Sequence, residues 1–255
     1  MNNLSKVFLV TTFLFSLNSK AHFQVIKAGS DVINDISISQ RIDLSFMHPM
    51  EQTYMPMKRP EKFGVMLNGK KKDLAELLKK KIEKGKSAWY AQYSFKMPGD
   101  YIFYVIPQPY WEPAEQKMII HYSKLIVDVL GAEDGWDDMI GFPVEIKPLS
   151  CPYSLYKGNI FRGIVKRNGK AVPFAEIEVE LFNNQGALCA PSDVYITQVI
   201  KADSLGVFSY VFPVSGWWGF AALLDGDKTM KNPEGKLVDV ELGAVLWLKV
   251  EPIKK

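Results

Sequence analysis

The chain is cut into short runs in which apolar and polar residues alternate, each closed by a turn signal, and this punctuation limits the possible folds more than any other feature. The clearest run is Ala175 to Phe182, where Ile177, Val179 and Leu181 interleave with Glu176, Glu178 and Glu180. An extended chain sends successive side chains to opposite faces, so the run predicts a strand with one face on a core and one in water. Asn68-Gly69 and Asn168-Gly169 lie between such runs, and Asn-Gly readily adopts the two positive φ angles of a tight hairpin. Strands are expected over Val25–Lys27, Ile36–Ile38, Ile42–Met47, Phe63–Leu67, Trp89–Phe95, Tyr101–Ile106 and Met118–Leu130. More follow over Asn159–Lys166, Ala175–Phe182, Tyr195–Ala202, Val207–Phe212, from Gly216, and over Val238–Val250. One segment departs from this period. Leu74, Leu77, Leu78 and Ile82 recur at helical spacing behind Asp73, a residue suited to an N-cap, and predict a short helical insert. The expected class is all-β: two immunoglobulin-like β-sandwich domains, the first carrying the insert.

The first residues set the compartment. Lys6 is followed by the nearly unbroken apolar run Val7 to Leu17, then by Ser19 and Ala21 at the spacing of small residues before a signal-peptidase cut. A membrane-spanning helix needs about 20 apolar residues, and this run is shorter. We therefore expect residues 1–21 to be a signal peptide and the mature chain to begin at His22 in the periplasm. No second apolar segment reaches spanning length, so no membrane insertion of the mature chain is expected. The formal net charge of +3 falls toward neutrality when Lys6 and Lys20 leave, which gives no basic stripe for nucleic acid. The lysines between Lys70 and Lys86 read as a solvated face. Gly135 to Pro152 is rich in Gly, Pro and acidic residues and separates two stretches of different character, which suggests domains at 22–149 and 150–255. The two cysteines, Cys151 and Cys189, can bridge in an oxidising compartment or stay as free thiols.

Three histidines, His22, His48 and His121, all fall in the first part. A histidine at a free N-terminus offers its α-amine and its imidazole Nδ1 to one metal ion, and both lose their protons readily near neutral pH. In Leu44-Ser45-Phe46-Met47-His48, His48 shares a face with Leu44 and Phe46. His121 shares one with Ile119, Leu125 and Val127. Each reads alone as a core histidine with one polar partner. Together with His22 they make a set of nitrogen ligands suited to Ni²⁺ or Co²⁺, with Cu²⁺ as the alternative. Met47, Met50, Met55 and Met57 crowd around His48, either as core filler or as soft thioether donors. No nucleophile elbow, phosphate loop, dinucleotide glycine pattern or zincin helix is present, so no enzyme activity is expected.

Residues 158–224 carry a strand, Asn168-Gly169-Lys170, Val172-Pro173-Phe174-Ala175, an alternating strand, Lys201-Ala202-Asp203 with Gly206 and Phe208, and Gly216-Trp217-Trp218-Gly219. That order resembles a transthyretin-like or carboxypeptidase-regulatory-like module, which implies a scaffold. A wider set runs through nearly the whole mature chain: Ala21-His22-Phe23, Met47-His48-Pro49-Met50-Glu51, Lys62-Phe63-Gly64-Val65, Pro98 to Phe103, Pro107 to Pro113 and Gly216 to Phe220. It resembles the bacterial family described as the periplasmic component of cobalt or nickel ABC transport systems, otherwise a domain family of unknown function. The resemblance implies a periplasmic metal-binding protein beside the membrane transporter subunits of an energy-coupling-type importer, with His22, His48 and His121 as the candidate ligands. The rival readings are a periplasmic copper-binding protein, a histidine-brace copper oxidase, and a structural or adhesion protein with core histidines.

Overall fold

A computed structural model describes residues 22–253; the signal peptide expected over residues 1–21 lies outside them. The described chain is all-β. Its largest sheet has 11 strands, and along its main path the strands run 198–201, 176–181, 216–225, 240–251, 117–129, 99–106, 62–67 and 70–73. This sheet crosses the boundary expected at 149/150. Lys117–Val129 and Val240–Glu251 pair in parallel from Met118 opposite Val240 to Leu125 opposite Trp247.

Alternation along these strands shows how the layers stack. In Val240–Glu251, Val245 and Trp247 enter one core while Ala244, Leu246, Leu248 and Val250 enter another. In Gly99–Ile106, Tyr101, Phe103 and Val105 face the first core, and Ile102 and Tyr104 the second. The large sheet is therefore a central layer with an apolar face on each side, and each face needs a cover. The sheet of strands 23–28, 40–48, 86–93 and 79–83, with 53–55 at its side, covers the first. The sheet of strands 144–148, 160–167, 170–171 and 207–211 covers the second. Lys124 and Glu145, almost without exposure, pair at 2.6 Å between the central and second covering layers. Glu145 also accepts the backbone N–H groups of Ile140, Gly141 and Phe142, which offsets the cost of burying the pair.

Both Asn-Gly hairpins form. Asn68 and Gly69 have φ of 49° and 70°, and Asn168 and Gly169 have 49° and 78°. Three expectations need correction. The helical insert is a single 3-10 turn, Ala75–Leu77, followed directly by the strand Lys79–Glu83. Asp73 accepts the N–H of Ala75, two residues on, and so closes a local turn rather than capping a helix. Leu74 and Leu78 are buried while Leu77 and Ile82 are exposed; the leucine spacing came from two anchors flanking a turn. Ile36–Ile38 is also a turn, in which Asp35 accepts the Ser37 N–H. The glutamate face of Glu176–Leu181 is solvated only at its start: Glu176 is exposed and Glu178 half-buried, but Glu180 is fully buried. Its carboxylate accepts the N–H of Met50 and the hydroxyl of Thr197. Cys151 and Cys189 are free thiols.

Candidate metal site

Residues 22, 48 and 112 are distant in the chain, and strand pairing brings them together. Phe23–Ala28 runs antiparallel to Gln40–His48 with Phe23 opposite Met47. One more step along that register sets His22 opposite His48, and directly opposed residues are the nearest side-chain neighbours across two strands. Their ring centroids are 4.6 Å apart, tilted by 50°. Glu112 ends the short strand Tyr110–Glu112, which folds back on the start of Lys117–Val129 with Glu112 opposite Lys117. Its Oε2 lies 2.8 Å from His22 Nε2, and its Oε1 accepts the Ala114 N–H at 2.9 Å. A carboxylate held on one ring nitrogen orients an imidazole and strengthens the other nitrogen as a donor. Phe46 stacks on His22 with centroids 5.7 Å apart, and Tyr110 packs against Phe46 at 4.9 Å. All three polar residues are buried.

The pair stands at the wall of a cleft of about 880 Å³. Met55, Glu115, Glu178, Asp225 and Glu241 also line it, with Lys117. Burial and the neighbouring carboxylates of Glu241 and Glu180 push the Glu178 carboxyl up to about 8. Burial acts the same way on Glu241, but the hydrogen bond and charge of His121 outweigh it and leave its pKa below the ordinary glutamate value. An acidic concave wall beside two imidazoles favours a cation.

The third expected ligand, His121, is held by Phe46 and Glu241. The His121 ring contacts Phe46 at 6.1 Å, and its Nε2 lies 3.1 Å from Glu241 Oε1. Among the described residues no three His, Cys, Asp or Glu side chains converge in a ligand set. The residues fit a metal only when a non-side-chain donor, the α-amine of His22, joins the two imidazoles. Sequence reasoning missed Glu112 and Glu241. Each sits in a plain strand, and only pairing shows its histidine partner. The packing around His121 is tight: a Cβ on Gly243, its neighbour across the parallel pair, would fall 2.2 Å from the ring. Gly243→Ala should therefore push His121 off Glu241 and lower unfolding free energy by about 1–3 kcal/mol, measured in urea. An unchanged midpoint would show that the ring has room to shift.

A family profile described as "Domain of unknown function (DUF4198)" matches residues 19–226. No curated protein matches the chain. Similar solved structures include a two-domain fibronectin type III segment of chicken tenascin, at 8% identity and TM-score 0.25, covering 90% of this chain and 99% of that one. The D0-D1 domain of intimin matches at 10% identity and TM-score 0.23, covering 89% and 99%. The native conformation of E. coli alpha-2-macroglobulin matches at 9% identity and TM-score 0.27, covering 90% of this chain and 14% of that one. Likeness at these scores carries no argument about function.

Proposed function

The chain belongs to the family described as Domain of unknown function (DUF4198), a description that names no activity, and we propose that it is an exported carrier of a divalent transition-metal ion. The observation that carries this reading is the opposed pair His22 and His48, 4.6 Å apart, with Glu112 fixed on His22 Nε2 at 2.8 Å. Cleavage before His22 would give the same residue a free amine. Amine, Nδ1 and the His48 imidazole then make three nitrogen donors on one small arc, a set suited to Ni²⁺, Co²⁺ or Cu²⁺. Glu112 holds the His22 ring in place, and the acidic cleft attracts the cation. Delivery of Ni²⁺ or Co²⁺ to the membrane subunits of an importer in the periplasm rests on the resemblance of the sequence segments described above. His121 serves in this reading as a buried partner of Glu241 rather than as a ligand.

Titration of Co²⁺ or Ni²⁺ into the chain beginning at His22 tests the proposal. His48→Ala should weaken binding about 10- to 100-fold, in line with loss of an imidazole or of its support. Equal affinity in the two proteins would refute the site. Met55, which lines the same cleft as His48, favours one second reading. Its thioether is a soft donor that suits Cu(I). Tighter binding of Cu(I) than of Ni²⁺, weakened by Met55→Leu, would select copper carriage.

A further inference from the structure

A second cavity, of about 280 Å³, shares no lining residue with the acidic cleft. Phe46, Met57, Pro107, Pro109, Tyr110 and Trp111 supply its apolar wall. Three polar side chains of the lining are turned to the protein itself. Gln24 Nε2 donates to the carbonyls of Val25 at 3.1 Å and Ser45 at 3.0 Å. The Ser87 hydroxyl donates to the Met57 carbonyl at 3.0 Å. His121 Nε2 faces the Glu241 carboxylate at 3.1 Å. The remaining polar atoms of Gln24 and His121, Oε1 and Nδ1, have essentially no accessible surface and offer nothing to an occupant.

What an occupant meets is therefore apolar, rich in rings and, at one point, positive. Lys58 lines the cavity and is exposed, no Asp or Glu lines it, and among the described residues no carboxylate pairs with Lys58. A cavity of about 150 Å³ holds benzene, so this one admits a single ring with a substituent. Proline and aromatic side chains have few torsions to freeze, so a ring seated among them orders the wall at little cost. The long flexible stem of a lysine lets its ammonium follow a charge at the mouth. We propose that this pocket binds a small aromatic carboxylate, its ring among Phe46, Tyr110 and Trp111 and its carboxylate paired with Lys58. Pockets of this kind, mostly apolar with a few polar groups that fix orientation, are the common form of small-molecule sites. The cleft beside it carries Glu115, Glu178, Asp225 and Glu241, so the two cavities sort their ligands by charge, a cation in one and an organic anion in the other. The inference stands without the metal reading, since neither His22 nor His48 lines the pocket.

The test titrates three probes into the metal-free chain beginning at His22, followed by protein NMR. Benzoate is the expected ligand, benzamide keeps its ring and shape without the charge, and cyclohexanecarboxylate keeps the charge without the flat ring. Benzoate should shift the Tyr110 and Trp111 resonances. At low salt it should bind about two- to fivefold more tightly than benzamide, the range an exposed ion pair supplies. That preference should vanish in about 0.5 M salt, where exposed charges are screened, and in Lys58→Met, which keeps the stem and removes the charge. Benzoate should also bind at least about twofold more tightly than cyclohexanecarboxylate, as ring-on-ring packing implies. Equal binding of benzoate and benzamide at low salt, or a preference that survives Lys58→Met, overturns the carboxylate assignment. Equal binding of benzoate and cyclohexanecarboxylate overturns the aromatic one. Binding of no probe, or shifts confined to residues away from Tyr110 and Trp111, overturns the site. Metal titration of the same sample reads the carrier proposal separately.

Discussion

Acetylating the His22 amine, or placing one residue before it, should weaken Co²⁺ binding by about 100-fold or more, a larger loss than any single side-chain change at the site. The reason lies in what the structure lacks as much as in what it holds. Two imidazoles 4.6 Å apart with Glu112 on one of them give two nitrogen donors, and no third described side chain of ligand type joins them. Two donors bind a divalent ion weakly. A third from the same residue costs little further ordering, because the His22 ring is already fixed by Glu112 and by stacking on Phe46. An acetylated or peptide nitrogen has no basic lone pair to offer, so blocking removes that donor without touching the fold. About 100-fold corresponds to about 2.7 kcal/mol, and supporting groups alone cost 10- to 100-fold in other metal sites. The measurement is Co²⁺ titration by its visible absorption near neutral pH, with mass spectrometry verifying each terminus. Equal affinity in blocked and free chains would remove the amine from the site and leave the His22–His48 pair as packing.

How much of this was legible in the sequence depended on range. The Asn-Gly hairpins and most strands were readable because turn chemistry and period-two burial act over a few residues. The apolar face shared by His48, Phe46 and Leu44 was readable for the same reason, and all three are buried. The meeting of His22 with His48 was not. It follows from the register that sets Phe23 opposite Met47, a pairing between segments whose partners no local pattern names. The same holds for Glu112 and Glu241, ordinary glutamates until the strands that carry them are placed. The reading of Glu176, Glu178 and Glu180 as a wet face held for Glu176, which is exposed, and failed for Glu180, because alternation reports that the two faces differ, not what covers each. Here Met50 and its neighbours fold over Glu180, and the cleft takes Glu178. The helical spacing at Leu74 to Ile82 failed through length. Two buried leucines on either side of one turn mimic a helix period, and pairing of Lys79–Glu83 with Lys86–Tyr93 decides the conformation.

Unfolding free energy should fall as pH rises from about 5 to about 8.5, the reverse of the usual behaviour of carboxylates held by salt bridges. Four carboxyls drive this. Burial pushes Asp31 up to about 7 and Asp100 up to about 6, the latter also through the nearby Asp128. Burial likewise raises Glu180 to about 7, and burial with the neighbouring glutamates raises Glu178 to about 8. In the unfolded chain all four lose their protons near pH 4. Between there and their folded values the native state binds more protons than the unfolded state, so the slope of stability against pH is negative. The stabilisation is complete below about pH 4 and is lost as each folded carboxyl ionises in turn, Asp100 first and Glu178 last. One pKa unit is worth about 1.4 kcal/mol, and allowing for relaxation of the partly exposed groups the summed loss is on the order of 5 kcal/mol. Urea unfolding at a series of pH values measures it. Asp31→Asn and Glu180→Gln should each flatten the curve, because an amide stays neutral throughout. A stability that rises or stays level over this window would show that these carboxyls are ionised in the folded protein and held by cations or water, and the buried acidic faces of the central sheet would then have to be redrawn as solvated ones.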